Sequence, residues 1–413
     1  MRKQVYEQLL GVVKELNGSL DFDSIKRSII EQAKVIFDAE ASSLIFLDKE
    51  KNELYFEVAT GDAGNLAKEI RFPSTHGIAG WIIQKKRPLL VQDAQNDKRF
   101  FQGVDKKTNF ITRTIIGTPV FINGEAIGLI EVLNKRKGFF NRQDLKQLTI
   151  FADLAALTLK NAMWYKESLE KERISGDLRV AGDIQRRLLP KSDIDIPGYA
   201  YSALYKSSKD VGGDYYDVLP INENHYVLAV ADVSGKGAPA SLVMSMVRAY
   251  IHSAFKFNGD LLSCAKIVNN AVHADTETRR FVTMVIGILD LETNTFEFVN
   301  GGHHYPTVVK PDGTFKQYES NDIIFGIFPD YVFTKYSFSL EKDDVLVLYT
   351  DGIVECMDDK DDLYGPKRLV DDFNALKNGS LEQRGNNIMD RALAFANGEQ
   401  ADDMTLLMVK RTK

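Results

Sequence analysis

This 413-residue chain contains only two cysteines, Cys264 and Cys356. Two thiols cannot supply a disulfide framework, and such sparse use suits a reducing compartment. No apolar run approaches the ~20 residues that a membrane-spanning helix needs. The opening MRKQVYEQLLGVVKELNG carries Glu7 and Glu15 among its basic residues and lacks a long apolar stretch, so it does not read as a secretion signal. Positive charge is not in excess either. Lys plus Arg number 52 against 58 Asp plus Glu, a formal net charge of -6, which argues against nucleic acid as the main partner. A nucleophile elbow, Gly-x-Ser-x-Gly, is missing. SGKGAPAS has a lysine between glycines but not the spacing of a phosphate-binding loop. What is present is globular in character: 44% hydrophobic and 27% charged residues, at a length that suits two or three domains. The expectation is a cytoplasmic, multidomain protein with no membrane segment.

The periodicity divides the chain. Residues 4–17 place Val5, Leu9, Val12, Val13 and Leu16 on one helical face, closed by Asn17-Gly18. A second helix is predicted over 22–38, capped by Asp21 or Asp23. Strand-like runs follow at 41–48, 54–60, 87–93, 113–122 and 125–135, the last two joined by the hairpin signal Asn123-Gly124. From 141 to 189 no proline interrupts a helical stretch. In it Leu148, Phe151, Ala155, Ala162, Tyr165 and Leu169 approximate a heptad seam, and Leu178, Ala181, Gln185 and Leu188 a second. The phase slips between them, near Gly176. This predicts a coiled-coil linker that pairs two chains, with a solvated single helix as the alternative. Beyond Pro190 the alternation is that of strands, at 199–207, 225–233, 281–291, 295–300, 306–310 and 344–351, with helices at about 238–256, 260–274, 366–377 and 381–396. The expected organisation is an N-terminal helix (1–18), an α+β domain (19–160), the linker (161–190) and a second α+β domain (191–413).

In the second domain, aspartates sit beside glycine at predicted strand ends: Asp214 in VGGDYYDV, Asp232 in ADVSGKG, Asp351 in YTDGIVE, and Asp402-Asp403 in ADDMTLLMV. One Asp-Gly pair is usually only a turn. Four such sites in one domain would place like charges together, and these repel unless cations neutralise them. An all-oxygen set suits a hard divalent cation such as Mg²⁺ or Mn²⁺. Carboxylates from separate strand ends can hold two such ions about 3.5–4 Å apart and activate a water for attack on phosphorus.

The ordered set GGDYYD, DVSGKG, NGGHHYP, YTDG and DDMT, preceded by IQRRLLP, resembles the PPM family of metal-dependent serine/threonine phosphatases, specifically its SpoIIE/RsbU-type branch. The resemblance implies an α-β-β-α sandwich with a dinuclear Mn²⁺ or Mg²⁺ centre. Asp214 and Asp232, with the Val233 carbonyl, would serve the first metal and the bridge; Asp351 and Asp402 would complete the second site, with Asp403 in support. It further implies a phosphorylated protein substrate, a STAS-type anti-sigma-factor antagonist. The motifs contain no phosphate-binding arginine. His303 is open to a loop-ordering or a proton-donating role, and Asp217 to a place near the metals or at the surface. A diguanylate cyclase reading of VGGD leaves Asp351 and DDMT unexplained. The rival from another class is a non-catalytic module that captures a partner on a degenerate phosphatase fold.

The first domain resembles a GAF domain through GIAGW (77–81), TPVFINGEAIGLIEVLNK (118–135) and FFNRQD (139–144). That resemblance implies a sensory and dimerising antiparallel-sheet domain. Asn134-Lys135, Phe140 and Asp144 are similar to the pattern of cyclic-nucleotide-binding members, although Leu145 replaces its last acidic residue. Cyclic nucleotide and no ligand at all both remain open. Bilin attachment lacks its cysteine here, and an iron site would have only His76. The linked prediction is a homodimeric enzyme in which the sensory domain acts through the linker helix.

Overall fold

The computed structural model describes residues 21–60, 70–190, 194–257, 259–276, 280–320 and 322–413, so the helix expected over 4–17 lies outside the described residues. The chain divides into two units, Met1–Glu172 and Arg173–Lys413. Among the described residues no helix is long and apolar enough to cross a membrane.

In the first unit, helix α1 (Phe22–Ile36) starts at Asp21, whose side chain accepts from the Ser24 amide and satisfies one of the free N–H groups of the first turn. Strands β1 (Ala39–Asp48), β2 (Glu53–Ala59), β3 (Arg71–Pro73), β4 (Leu89–Val91), β5 (Ile115–Ile122) and β6 (Glu125–Lys135) form one antiparallel sheet in the order β3-β2-β1-β6-β5-β4. Asn123 and Gly124 turn β5 into β6 with φ of 53° and 81°, as the sequence requires. Successive side chains on a strand point to opposite faces. Leu44, Ile130 and Val132 therefore pack against Ile29 and Ile30 of α1 and the start of helix α4 (Arg142–Leu188). Ile45 and Leu129 face the other way, toward helix α2 (Gly77–Lys85). GIAGW, read only as a motif in the sequence, is thus the opening of a helix. The short helix α3 (Gly103–Thr108) completes this face.

Helix α4 joins the two units and runs through Gly176 without a break. The seam read from its first half proves to be intramolecular. Leu148, Phe151, Ala155 and Ala162 are buried in the core of the first unit, whereas Tyr165 and Leu169 are exposed. A heptad pattern and the buried stripe of a helix on a sheet look alike over so few turns.

The second unit has two five-stranded antiparallel sheets between two helix pairs. One sheet orders its strands β14 (Tyr336–Ser339), β11 (Thr295–Gly301), β10 (Val282–Asp290), β9 (His225–Val233) and β8 (Tyr215–Pro220). The other has β13 (Phe315–Gln317), β12 (Thr307–Val309), β15 (Val345–Tyr349), β16 (Met404–Arg411) and β7 (Tyr199–Lys206). Alternation again sets the layers. Leu346, Leu348, Leu407 and Val409 join the inter-sheet core, while Val345, Val347, Leu406 and Met408 face helices α8 (Gly365–Ala375) and α9 (Leu381–Phe395). Helices α5 (Ala238–Phe257) and α6 (Leu261–Asp275) pack on the first sheet. This is the α-β-β-α sandwich that the resemblance implied.

Candidate functional site

The strand ends bring the aspartates to one rim of the sandwich. Asp214 precedes β8, Asp232 is the penultimate residue of β9, Asp351 opens the short helix α7 (Asp351–Val354) after β15, and Asp402 and Asp403 lead into β16. Asp214 is fully buried. Its Oδ2 accepts from Thr350 Oγ1 at 2.7 Å and Thr405 Oγ1 at 2.5 Å. Those two threonines also bond each other, Thr405 N donating to Thr350 Oγ1 at 2.9 Å. Burial and the Asp232 charge push the Asp214 carboxyl well above the usual carboxylate range. Burial, followed by the charges of Asp351 and Asp402, raises Asp232 to about 7. Asp351 is raised as well, by burial, then by Asp402 and Glu355.

Asp403 is differently placed. Its Oδ1 accepts from Ser208 N at 2.7 Å and Ser208 Oγ at 2.9 Å, and its Oδ2 from Gly213 N at 2.7 Å. It thereby ties the loop before Asp214 to the start of β16. Asp402 pairs with Lys236 Nζ at 2.9 Å. Lys236 also donates to the Ala401 carbonyl at 2.6 Å. The Val233 carbonyl lies against the same loop, 2.9 Å from where a Cβ on Gly213 would stand.

Glycine is required where these segments touch. A Cβ on Gly352 would lie 1.9 Å from the Asp403 carbonyl oxygen. Gly352→Ala should therefore lower the denaturation midpoint of this unit by the equivalent of about 1–3 kcal/mol, the usual cost of overpacking. An unchanged midpoint would show that the two segments can part freely.

The oxygen-only chemistry of the cluster and its mutual repulsion fit hard divalent cations. The carboxylates are held as an open group: among the described residues, no three His, Cys, Asp or Glu side chains stand together as a ready metal cage. The charges of Asp351 and Asp402 act on Asp232, and that of Asp232 acts on Asp214.

Beside Asp351 lies a cavity of about 210 Å³ lined by Thr283, Gly302, His303, His304 and Glu355. His303 orders its loop: its amide donates to Asn300 Oδ1 at 2.8 Å, Asn300 Nδ2 returns to the His303 carbonyl at 3.0 Å, and Nδ1 meets Thr283 Oγ1 at 2.8 Å. Burial holds its imidazole down at about 3, so it is neutral at pH 7. Asp217 is neither near the cluster nor at the surface. It is buried, bonded to the Tyr215 hydroxyl, to Val218 N at 2.9 Å and to His252 Nε2 at 2.6 Å. Asp217 stands three residues past Asp214, an odd offset that turns its side chain to the opposite face of the strand.

Thr350 in YTDG, Thr405 in DDMT and Lys236 in SGKG stand inside the motifs without a role assigned from sequence, and Ser208, six residues before Asp214, has no motif signal. Gln185 was read as a seam residue. Instead its Nε2 donates to the Gly212 carbonyl at 2.7 Å and its Oε1 accepts from Gly212 N at 3.1 Å. The end of α4 thus grips the glycine loop that leads to Asp214.

Known proteins share both halves. Residues 222–412 match the family described as Stage II sporulation protein E, and residues 19–160 match the GAF domain family. The chain is 27% identical over 247 residues to Phosphoserine phosphatase RsbU of Bacillus subtilis (strain 168), covering 58% of this chain and 72% of that protein. It is 33% identical over 180 residues to Probable 3',5'-cyclic phosphodiesterase pde-5 of Caenorhabditis elegans, covering 40% of this chain but only 25% of that protein. Among solved structures, the SiaA-PP2C domain of Pseudomonas aeruginosa superposes with a TM-score of 0.53 at 18% identity, covering 58% of this chain and 98% of that one, a likeness of fold.

Proposed function

Because the chain carries a GAF domain followed by a SpoIIE/PP2C-type phosphatase domain, we propose that it is a protein serine/threonine phosphatase dependent on two divalent cations, Mn²⁺ or Mg²⁺. The observation that carries this reading is the gathering of Asp214, Asp232, Asp351 and Asp402 at one rim, where their charges act on one another. Similarity to a phosphoserine phosphatase supports the same reaction class. The substrate would be a phosphoserine or phosphothreonine protein, of the STAS-type anti-sigma-antagonist class.

The residues divide the work. Asp214, Asp232 and the Val233 carbonyl would hold one cation and the bridge, and Asp351 and Asp402 the other. Bound cations would supply a deprotonated water and neutralise charge on the phosphoryl oxygens. Thr350 and Thr405 both donate to Oδ2 and so fix the Asp214 carboxylate. Asp403 braces the loop rather than offering free oxygens to a metal. Lys236 sets the orientation of Asp402. Incubation of the full chain with a phosphoserine peptide should release phosphate only when Mn²⁺ or Mg²⁺ is added, and chelation should stop it. Turnover unaffected by chelator would refute the metal requirement, and a lack of turnover under every metal condition would favour a capture module.

Control would run through α4, whose end holds Gly212 by way of Gln185, as a population shift between competent and incompetent arrangements of the cluster. A Cβ on Gly176 meets no atom within 4 Å, so Gly176→Ala stiffens the helix without a clash. It should change the basal rate, or the response to an activating ligand, by several-fold, about the effect of 1 kcal/mol. If both stay the same, the helix is not the two-state element.

A further inference from the structure

The first unit contains a half-open pocket on the α2 face of its sheet. Its walls are mostly apolar and rich in aromatic rings, including Phe56, Phe72, Phe100 and Phe101. Its polar groups are nearly all engaged elsewhere. Ser42 Oγ donates to the Ile30 carbonyl at 2.6 Å, Thr108 Oγ1 to the Val104 carbonyl at 2.9 Å, and Asp105 accepts from Gln95 Nε2 at 3.0 Å, Thr112 N at 2.9 Å and Thr112 Oγ1 at 2.7 Å. Two groups are exceptions. Ser43 Oγ is buried and has no hydrogen-bond partner. Glu131, 7% exposed, has no ion pair or hydrogen bond, and burial alone perturbs its carboxyl.

These two residues are neighbours by register. Ser43 of β1 is paired directly with Glu131 of β6, so both side chains rise from the same face of the sheet. On the other flank Glu131 is paired with Gly117 of β5, which offers no side chain to meet it. A buried carboxyl without a partner is costly, and such a group is normally satisfied by something. Nothing in the described fold satisfies this one.

We propose that the pocket binds a compact ligand that carries adjacent N–H donors of the amidine or amino-heteroaromatic class. Glu131 accepts the N–H pair and Ser43 Oγ makes a third hydrogen bond, while the phenylalanine rings cover the flat face of the ligand. The lining contains two acidic residues and, among the described residues, no Lys or Arg, so a phosphate ester is disfavoured by charge. The Asn134-Lys135-Phe140-Asp144 pattern does not contradict this, because it is spent on packing. Asn134 bonds Arg113 N at 2.6 Å and Glu40 at 2.9 Å, and Lys135 pairs with Asp144 at 2.6 Å, all away from the cavity lining.

Calorimetric titration of the full chain with benzamidine, benzoate and cyclic GMP tests this. Benzamidine should bind saturably. Glu131→Gln should weaken it by about 10-fold or more, as expected when a charged acceptor is lost, and Ser43→Ala by a smaller factor. Benzoate, of the same shape and opposite charge, should not bind. A thermal melt of the Glu131→Gln protein at least as high as that of the parent would establish that the variant folds. The proposal is overturned if no amidine binds, if benzamidine binds equally to parent and Glu131→Gln, or if benzoate or cyclic GMP competes for the same site.

Discussion

Asp351→Asn should eliminate metal-dependent phosphate release, by about 10²–10³-fold or more, the scale of losing one electrostatic element of an active site. Asparagine has the shape of aspartate, so α7 and its approach to Asp403 through Gly352 are preserved. What disappears is one negative charge from a rim where the carboxylates oppose one another. The structural consequence runs opposite to the catalytic one. In the absence of metal, burial and the charges of Asp402 and Glu355 disfavour ionised Asp351, so the variant should melt no lower than the parent. Added Mn²⁺ should stabilise the parent by mass action and the variant less. Retained turnover with unaltered metal stabilisation would remove Asp351 from the proposed centre. A lowered metal-free melt would reveal a structural role in place of a catalytic one.

Glu131→Gln should stabilise the first unit, and only above acidic pH. Burial raises this carboxyl from 4.5 to about 7. Between those values the folded protein keeps a proton that the unfolded chain releases, so stability is intact below pH 4.5 and falls as pH rises toward 7, after which it levels. The difference corresponds to about 3 kcal/mol at most. The groups facing Glu131 leave it alone: Ser43 and Gly117 do not titrate, and Asp105 is the other acidic residue of the lining, held by Gln95 and Thr112. Melting curves of parent and variant between pH 5 and pH 8 should diverge steadily and then run parallel. A constant offset would mean that Glu131 is ionised throughout. A variant less stable at pH 8 would mean that the carboxylate has a partner in solution.

Much of the architecture was legible because it depends on local pattern. The patterns of 225–233 and 281–291 and the turn at Asn123-Gly124 specify strands and a hairpin whatever surrounds them. The strand Tyr215–Pro220 is not legible because its six residues carry Asp217 in the middle and Pro220 at the end, and helix Gly77–Lys85 because GIAGW has too few polar positions to display a helical period. The linker misled in one respect. Leu148, Phe151 and Ala155 have the spacing of a coiled coil, but the sheet of their own domain covers them, and spacing does not say which surface does the covering.

By itself the sequence determined two α+β domains on a continuous helix and an acidic set at strand ends, since hydrophobic period and turn chemistry are properties of neighbouring residues. Tertiary structure alone decided which carboxylates do what. Asp403 is consumed by Ser208 and Gly213, Asp217 by Tyr215 and His252, and Glu131 is left facing a cavity with no partner. Whether a buried carboxylate is braced, paired or free depends on donors far away in the chain, and only folding brings those donors within hydrogen-bond reach.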